Sequence, residues 1–361
     1  MTVYLTVNVL IVIFGLYFES INSKADLSTY KKRLPNYFFI IPSFILIFII
    51  TAFRGDFTTD YTHYSDLFDL YNLFSFSEIF QAELGQEIGY ILLSRIIGTF
   101  TNNEVYLFIV VSFVTLACFY YQFNKYSVYI WLSVLMFVTV GSLYPSFNIM
   151  RQILATAIVF AGSTFLYERK MTKYFLVVLV ASLFHTTSLI MFPFYFILNF
   201  RLNFKNLTFI FAGSVVLMLF FDNILSFIQQ FFYTQYTVDS YGMTGQRFTN
   251  AVLPLALFIF SLFNFKKLDS SSTIHRVWFN AVFFNALFSV LSLQVQLVER
   301  ITHFFSPYAM LLIPFMFSKM KNKHLRFIYI MILVLMLFLY NFTVLSGSEY
   351  DPYYFIWDSS Q

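Results

Sequence analysis

Long uninterrupted apolar runs constrain this chain more than any other feature of its sequence. A membrane-spanning helix needs about 20 mostly apolar residues, and within lipid only helices and closed barrels satisfy the backbone hydrogen bonds. The runs are continuous rather than alternating, which favours helices over barrel strands. We therefore predict an all-α, polytopic integral membrane helix bundle with about ten spans. These lie near residues 2–21, 36–53, 104–123, 127–143, 148–167, 206–221, 251–265, 277–297, 301–318 and 325–345.

The composition agrees with lipid as the solvent of the fold. Of 361 residues, 59% are hydrophobic and 11% are charged, whereas soluble domains are about 25% charged. The opening run Val3–Tyr17 lacks the basic start and the small-residue cleavage site of a signal peptide, so we interpret it as a span. The single cysteine, Cys118, excludes an internal disulfide. We predict one membrane domain, residues 1–361.

Two apolar segments do not fit a simple span. Residues 86–100 are short and contain Glu87 and Arg95, and we predict an interfacial helix there. Residues 174–199 would be about 39 Å long as a helix, which is long for one span and short for two. Basic residues flank both of its ends. We predict a re-entrant helical hairpin with "FHTTS" near its tip.

The distribution of basic residues predicts the sidedness of the bundle. Cytoplasmic loops carry an excess of Lys and Arg, and a cytoplasmic first loop puts 17 of the 22 basic residues on that side. Both termini are then predicted on the outer face. The rival topology makes 86–100 and 174–199 full spans and raises the external basic count from five to eight. The five external cations are all arginines: Arg54, Arg95, Arg151, Arg247 and Arg300.

The external arginines leave two interpretations open. Arginine is the better side chain for bidentate binding of phosphate or carboxylate, so these residues either pair with acids of the outer loops or bind an anionic, lipid-linked substrate. The outer loops 54–103 and 222–249 are predicted to form part of the rim of that site. The chain has no Gly-rich phosphate loop and no His/Cys spacing typical of a metal site. We expect no cofactor and no metal.

Five ordered stretches between about Thr51 and Phe317 carry recognisable motifs. They are "FRGDFTTDYTHYSDLF", "EIGYILLSRII", "NIMRQILATAIVFAGSTFLYERKMTKY", "ASLFHTTSLIMFPFYFI" and "ERITHFFSPYAMLLIPF". The ordered set resembles the EpsG-like branch of the Wzy-type polysaccharide polymerases. The loop 222–249 matches no motif of that family, which leaves the sugar specificity open.

The resemblance implies a glycosyl transfer at the outer leaflet of the bacterial plasma (inner) membrane. A growing glycan on undecaprenyl diphosphate would be transferred to a new lipid-linked repeat unit, with the diphospho-lipid as leaving group. It implies no nucleotide sugar. The implied partners are the undecaprenyl-diphosphate-linked donor and acceptor, the lipid bilayer and a chain-length regulator protein, and no nucleic acid.

Three candidate site residues come after Phe53, where the span predicted over 36–53 ends. Arg54 can neutralise the charge that develops on a diphosphate leaving group; the alternative is a snorkelling rim arginine. Asp56 or Asp60 can act as the base for an acceptor hydroxyl, or as the carboxylate beside an oxocarbenium-like carbon. The alternative for either aspartate is a loop cap or a partner for Arg54.

Three further candidates lie in the middle of the chain. Arg151 is one turn inside the outer end of a span, where a charge is costly and usually functional, and a helix N-terminus adds to its attraction for anions. Gln152 beside it can hydrogen-bond to sugar hydroxyls. His185 heads "HTTS" at a break between half-helices, where membrane sites are often built. It is a candidate base or phosphate donor, or else a satisfied structural histidine.

The remaining candidates are predicted to bind substrate at two later outer segments. Glu299, Arg300 and His303 cluster at a tight turn between two spans, and Glu299 and His303 share a face if a helix begins there. Arg247 lies in the long outer loop and either binds substrate or is only solvated.

Three other functions stay open. A flippase for lipid-linked glycans also needs arginines against diphosphate, but it should have cations along an inward-opening cavity and two similar halves, and the chain has no internal repeat. A ligase would join finished chains to another acceptor. A membrane acyltransferase would place a histidine deep in a channel, and His185 leaves that role open.

Overall fold

The computed structural model describes residues 1–25, 34–80, 85–201, 206, 249–269, 271–293 and 296–358. Within these residues every regular element is helical, apart from one isolated antiparallel bridge between Arg54 and Phe355. The all-α prediction is confirmed for the described chain. The predicted span 206–221 beyond its first residue, and Arg247 with its loop, lie outside the described residues.

The described helices are numbered here in chain order. They are α1 (Thr2–Ala25), α2 (Tyr37–Ala52), α3 (Thr59–Asn72), α4 (Phe76–Ile79), α5 (Ile88–Gly98), α6 (Val105–Tyr126), α7 (Ile130–Met136), α8 (Pro145–Asn148), α9 (Met150–Ala161), α10 (Ser163–Tyr167), α11 (Met171–Ser182), α12 (Met191–Asn199), α13 (Thr249–Phe263), α14 (Thr273–Leu291), α15 (Gln296–Thr302), α16 (Ser306–Ser318) and α17 (Lys323–Leu345). A π-helical turn covers Phe137–Gly141, and 3₁₀ turns cover Thr186–Ile190 and Phe265–Lys267.

The chain forms two compact units. The first contains Met1–Met191 and Phe317–Gln361, and the second contains Phe192–Met316. In the second unit α14 packs against α13 and α15, and the Asn280 amide donates to the carbonyls of Leu198 and Phe200, at 2.9 Å each. The single membrane domain over residues 1–361 stays a prediction.

Four described helices are long and apolar enough to cross a membrane. They are α1 over Thr2–Asn22, α6, α14 and α17. Eight further apolar helical segments have 10–17 residues, so the count of about ten spans stays a prediction. Large apolar side chains are more than half exposed on α1 (Ile13 and Tyr17) and on α17 (Leu335 and Leu339). Such outward apolar faces are what a lipid-embedded bundle requires.

Two predicted spans are interrupted in the structure. The segment predicted over 127–143 consists of α7 followed by the π turn. In a π turn each backbone hydrogen bond spans one residue more than in an α-helix. The segment predicted over 148–167 is divided into α9 and α10 at Gly162, a residue with poor helix propensity. Both segments have uniformly apolar stretches, so hydropathy alone did not indicate the breaks.

The core of the first unit is built around α6, which packs against α2 and α9. Phe119 in the middle of α6 lies 4.7 Å from the ring of Phe137 and 5.4 Å from that of Phe160. Helix α1 packs on α2 and α7, and α17 packs on the π turn. Aromatic rings thus fill the space between these helices. The shorter helices α3 and α5 lie at one end of this group.

Helices α3 and α5 pack against each other above this core. Helix α3 is amphipathic: Tyr61, Tyr64, Phe68 and Tyr71 recur at intervals of three or four residues and are buried, which is the spacing of one helical face. Helix α5 matches the short helix predicted over 86–100. Its position at a membrane interface stays a prediction.

The predicted break in the segment 174–199 is observed. Helix α11 ends at Ser182, and His185 has an extended backbone with φ −159° and ψ 116°. The following 3₁₀ turn packs back on α11, where the Ser188 hydroxyl donates to the Val178 carbonyl at 3.5 Å. His185 therefore lies at the tip of a reversal, and its re-entrant placement in a membrane stays a prediction.

Residues 346–358, called the C-terminal segment below, pack on the loop after α2. The Gly55 N–H donates to the Tyr354 carbonyl at 2.9 Å, and the Ile356 N–H donates to the Phe53 carbonyl at 3.1 Å. A Cβ on Gly55 would lie 2.4 Å from the Tyr354 ring, so only glycine fits this approach. The Tyr353 ring also contacts Tyr4, 5.3 Å away. The start of α1, the loop after α2 and the C-terminal segment thus share one end of the first unit.

Candidate functional site

A nearly buried carboxylate joins three distant parts of the first unit. Oε2 of Glu87 accepts a hydrogen bond from Nη1 of Arg151, 64 residues away in sequence. Oε1 lies 3.0 Å from His185 Nδ1 and accepts from the Thr186 N–H at 3.1 Å. The side chains of Glu87, Arg151 and His185, called the Glu87 cluster below, are 13%, 17% and 13% exposed. The structure thus brings together two residues that the sequence analysis named separately.

Local backbone geometry holds these segments in contact. Glu87 is the N-cap of α5, but its side chain makes no capping bond and is engaged by the cluster instead. Two residues on, the Gly89 N–H donates to the Leu183 carbonyl at 2.7 Å, and a Cβ on Gly89 would lie 2.6 Å from that oxygen. The start of α5 therefore rests directly on the break before His185, and this contact requires glycine.

Tyrosines from α3 and α5 surround the arginine. The Arg151 guanidinium carbon lies 5.4 Å from the Tyr90 ring centroid, and the charge of Arg151 acts on the nearby Tyr64 hydroxyl. The Tyr90 ring is 5.9 Å from that of Tyr64 and 6.2 Å from that of Tyr71. This aromatic enclosure excludes water, which strengthens every charge interaction within it.

The groups around Glu87 keep its carboxylate ionised at neutral pH. Burial alone would raise the pKa of Glu87, but the His185 hydrogen bond, the Arg151 charge and the Thr186 N–H outweigh it and lower that pKa to about 2. An ionised carboxylate only accepts hydrogen bonds, and His185 Nδ1 faces Oε1 at 3.0 Å, so we place a proton on Nδ1; in that tautomer of the imidazole Nε2 is an acceptor. Nε2 of His185 is buried and has no hydrogen-bond partner among the described residues.

The cluster combines a base and a cation at one place. Besides His185 Nε2, Nε of Arg151 is buried without a hydrogen-bond partner in the described part of the chain. Buried polar atoms without a partner also occur elsewhere in the described chain, so the case for a site here rests on the charged groups that the cluster brings together and not on these two atoms. A carboxylate-oriented histidine can take a proton from a hydroxyl, while the arginine can stabilise an anion.

Arg54 lies near the Glu87 cluster and is covered by the C-terminal segment. It is 1% exposed, with Nη1 donating to the Thr51 carbonyl at 2.6 Å and Nη2 lying 3.9 Å from Met150 Sδ. Its guanidinium carbon is 4.5 Å from the Phe108 ring centroid. Burial lowers the pKa of Arg54 to about 10, so the group stays charged at neutral pH. A snorkelling arginine keeps its head group in water, which this geometry does not allow, and substrate binding by Arg54 stays a prediction.

The two predicted catalytic aspartates occupy different positions. Asp56 is exposed and accepts a 2.8 Å hydrogen bond from the Tyr354 hydroxyl, so it is not paired with Arg54. Asp60 is half-buried in the first turn of α3, the helix whose Tyr64 contacts Arg151. The N-terminus of α3 is capped instead by Glu349 of the C-terminal segment, which accepts from the Thr59 N–H at 2.9 Å. Catalysis by either aspartate stays a prediction.

The other candidates are placed as follows. Gln152 is buried beside Arg151 in α9. In the second unit, Glu299 and Arg300 lie within α15, which ends at Thr302. His303 comes after that helix, so it does not share a helical face with Glu299. Substrate binding by these residues stays a prediction.

Glu87 is the residue that the sequence analysis missed. It appeared there only as one charge of a short segment and as the first letter of a motif. The available signal was an acid two residues before a glycine in an otherwise apolar stretch. That signal gives no partner, because the partners lie 64 and 99 residues further along the chain.

A comparison with protein families supplies the classification. The family model described as EpsG family matches residues 36–355, most of the chain. The chain belongs to the EpsG family. The predicted resemblance is therefore confirmed. No curated protein and no solved structure matches the chain.

EpsG family membership carries a coarse functional statement. The family is associated with Wzy-type polymerases, and membership indicates an exopolysaccharide-related membrane protein. The matched range contains the whole Glu87 cluster and the C-terminal segment as far as Phe355.

Proposed function

We propose that this EpsG-family chain is a membrane glycosyltransferase of the Wzy type. It polymerises undecaprenyl-diphosphate-linked oligosaccharide repeat units at the outer leaflet of the bacterial plasma (inner) membrane into surface polysaccharide. The observation that carries the proposal is the single carboxylate of Glu87, which binds a histidine on one oxygen and an arginine on the other. That arrangement supports the proposal, because glycosyl transfer from a diphosphate can use a proton acceptor for the hydroxyl and a cation for the leaving group.

The proposed reaction begins with the acceptor hydroxyl. Nε2 of His185 takes the hydroxyl proton as the acceptor oxygen forms a bond to the anomeric carbon of the donor sugar. Glu87 holds the imidazole through Nδ1 and stabilises the imidazolium that forms, a role that carboxylates play in other dyads. General base catalysis of this kind contributes about 10²–10⁴-fold to a rate.

The proposed role of Arg151 is to stabilise the leaving group. The bond between the anomeric carbon and the diphosphate oxygen breaks, and the electron pair goes to the diphospho-lipid. Arg151 neutralises the charge that develops on that oxygen, and the aromatic enclosure of Tyr64 and Tyr90 strengthens the interaction. Asp60, at the start of α3, is the proposed carboxylate beside the oxocarbenium-like carbon.

The wider setting belongs to the same proposal. The substrates are donor and acceptor glycans on undecaprenyl diphosphate, and a chain-length regulator is the proposed protein partner. The polar end of the first unit faces outward, with both termini on that side. Arg54, Gln152, Arg247, Glu299, Arg300 and His303 are the proposed contacts to substrate.

The chain-length distribution of the surface glycan tests the function. In cells lacking this protein we expect the glycan ladder on a gel to collapse to single repeats on the surface, and the wild-type gene to restore it. If no repeat reaches the surface and lipid-linked units accumulate inside, the protein is a flippase. If full ladders form but stay on the carrier lipid, it is a ligase.

A further inference from the structure

An open cleft of about 510 Å³ lies beside the loop after α2, apart from the Glu87 cluster. This volume falls within the range of about 300–1,000 Å³ usual for small-molecule sites. Polar and aromatic groups line it together, which is the mixed character expected of a site for a sugar. The lining residues are Gly55, Asp56, Tyr61, Asn103, Glu104, Val105, Ile356 and Trp357.

An exposed tryptophan forms part of the cleft wall. Trp357 is 56% exposed, and its ring is stacked on Phe355 with centroids 4.5 Å apart and planes at 11°. Phe53 supports it from a second side, 6.0 Å away. A rigid aromatic ring held in this way offers a flat apolar surface at little entropic cost, which suits the C–H face of a sugar ring.

The polar lining supplies hydrogen-bonding groups for hydroxyls. The backbone carbonyl of Glu104 accepts from the Leu107 N–H at 2.9 Å, but its side-chain carboxylate has no hydrogen-bond or ion-pair partner among the described residues. Asn103 uses its Oδ1 to accept from the Val105 N–H at 2.9 Å, and its amide N–H groups have no partner in the described part of the chain. Asp56 accepts a single hydrogen bond, from Tyr354. Hydrogen bonds from hydroxyls to ionised carboxylates are stronger than neutral ones.

The negative charge of the cleft restricts the class of ligand that it can bind. Among the described residues, two carboxylates and no basic side chain line it, so a diphosphate is repelled. A divalent cation prefers six or more oxygen ligands, and no group of three or more His, Cys, Asp or Glu side chains in the described residues is arranged to hold a metal ion. An uncharged polyhydroxy ligand is the class that fits.

The cleft is connected to the Glu87 cluster by α3. Tyr61 lines the cleft, and the ring of Tyr64, three residues on in the same helix, lies 5.9 Å from that of Tyr90, which contacts Arg151. Residues three apart lie on one face of a helix, about 4.5 Å apart along its axis. The cleft and the Glu87 cluster thus lie along the same helix, α3.

We infer that this cleft is a sugar subsite, which binds an uncharged pyranose ring of the glycan by stacking on Trp357 and by hydrogen bonds to Glu104, Asp56 and Asn103. The identity of the glycan rests on the proposed function. The subsite holds a ring remote from the diphosphate, and it orients the chain relative to His185 and Arg151.

Binding of free oligosaccharide tests the subsite without any catalytic step. The probe is the single repeat unit released from the host's own glycan by mild acid, which carries neither lipid nor diphosphate. In calorimetric titration of the full chain in nanodiscs, we expect Trp357→Ala and Glu104→Gln each to weaken Kd at least tenfold. Glu104→Gln is isosteric and lies outside the C-terminal segment, so it keeps the test valid if Trp357→Ala disturbs that segment.

Two matched variants control for surface changes. Phe100→Ala removes an aromatic ring that is 85% exposed, and Asp66→Asn neutralises an exposed acid; neither residue lines the cleft, and both variants should bind as wild type does. No binding by wild type, or equal binding by the cleft variants, overturns the subsite. Loss of binding in EDTA also overturns it, since a cation then accounts for the carboxylates.

The two proposals fail in distinguishable ways. If the deletion strain keeps its full ladder while the purified protein binds the oligosaccharide through Trp357 and Glu104, the subsite stands and the polymerase assignment fails. If the ladder collapses in the deletion strain but both cleft variants bind as wild type does, the polymerase assignment stands and the subsite fails.

Discussion

At the scale of single residues, one carboxylate organises the candidate site. Glu87 fixes the tautomer of His185 on one side and the orientation of the Arg151 guanidinium on the other. Removing it would leave a buried cation unpaired, which costs several kcal/mol in other proteins. Arg151 and His185 could be predicted from sequence because each is polar within an apolar run. Glu87 could not, because only the fold brings it to them.

Arg151→Lys tests the need for a planar guanidinium. Lysine keeps the charge but loses the fork that donates to Glu87 while facing a second anion. We expect at least a tenfold loss of polymerisation, seen as a shortened glycan ladder at equal expression. Arg95→Lys is the control, since the Arg95 side chain donates to the Phe74 carbonyl and takes no part in the cluster. A wild-type ladder from Arg151→Lys would remove Arg151 from the site.

Glu87→Gln tests the low pKa of the carboxylate. Lowering its pKa from 4.5 to about 2 on folding stabilises the protein by an amount on the order of 3 kcal/mol at neutral pH. Because the folded-state pKa is the lower one, this contribution is present above pH 4.5 and is lost as the pH falls towards 2. We expect the Tm difference between wild type and Glu87→Gln to be constant from pH 5 to 8 and to shrink below 4.5.

The exposed acid Glu78 supplies the comparison for that experiment. Its carboxylate accepts a hydrogen bond from the Ser75 N–H, which lowers its pKa, but the group is exposed to solvent, so Glu78→Gln should change Tm far less than Glu87→Gln does. A Tm difference for Glu87→Gln that stays the same down to pH 3 would contradict the assignment of a low pKa.

At the scale of elements, the site depends on contacts between helix ends. The start of α5, the first turn of α9 and the break after α11 converge on Glu87, and each is a place where a helix begins or stops. The break at His185 could be predicted from sequence, because the segment length and its polar "HTTS" both indicated it. The divisions at Gly162 and at the π turn could not, since one glycine with small polar neighbours inside an apolar run does not by itself indicate a break.

Gly89→Ala tests the contact between α5 and the break. The added Cβ would lie 2.6 Å from the Leu183 carbonyl oxygen, so α5 must move and Glu87 must move with it. We expect a loss of polymerisation comparable to that of Arg151→Lys, although Gly89 touches no substrate. Gly85→Asn is the control, because nothing lies within 4 Å of a Cβ there and asparagine tolerates its positive φ. Full activity of Gly89→Ala would show that the contact is not needed.

At the scale of the whole molecule, the membrane class and the family were predictable from sequence, and the burial of Arg54 was not. Composition and apolar runs determine the solvent of the fold, and ordered motifs identified the family. Arg54 was predicted at an outer surface because only its neighbours in sequence were considered. Tyr353 and Phe355, about 300 residues later, close over the end of the bundle that holds it.

Cysteine labelling tests the predicted sidedness. In a Cys118→Ser background, Asp66→Cys on α3 should react with an impermeant maleimide added outside the cell. Lys173→Cys at the start of α11 should react only after permeabilisation, because the basic loop before it is predicted to be cytoplasmic. Both native side chains are exposed, so access to the residue is not limiting. The reverse pattern would overturn the topology.

The C-terminal segment also dictates an order of assembly during synthesis. The hydrogen bond from the Thr59 N–H to Glu349, which caps α3, can form only after Glu349, 290 residues later, has been synthesised. At about 5–20 residues per second, that delay is about 15–60 s. For that time Arg54 lies at an end of the bundle where its backbone bridge to Phe355 has not yet formed. The site is thus closed by residues that are translated after α17, and a nascent chain that stalls in α17 would leave it open.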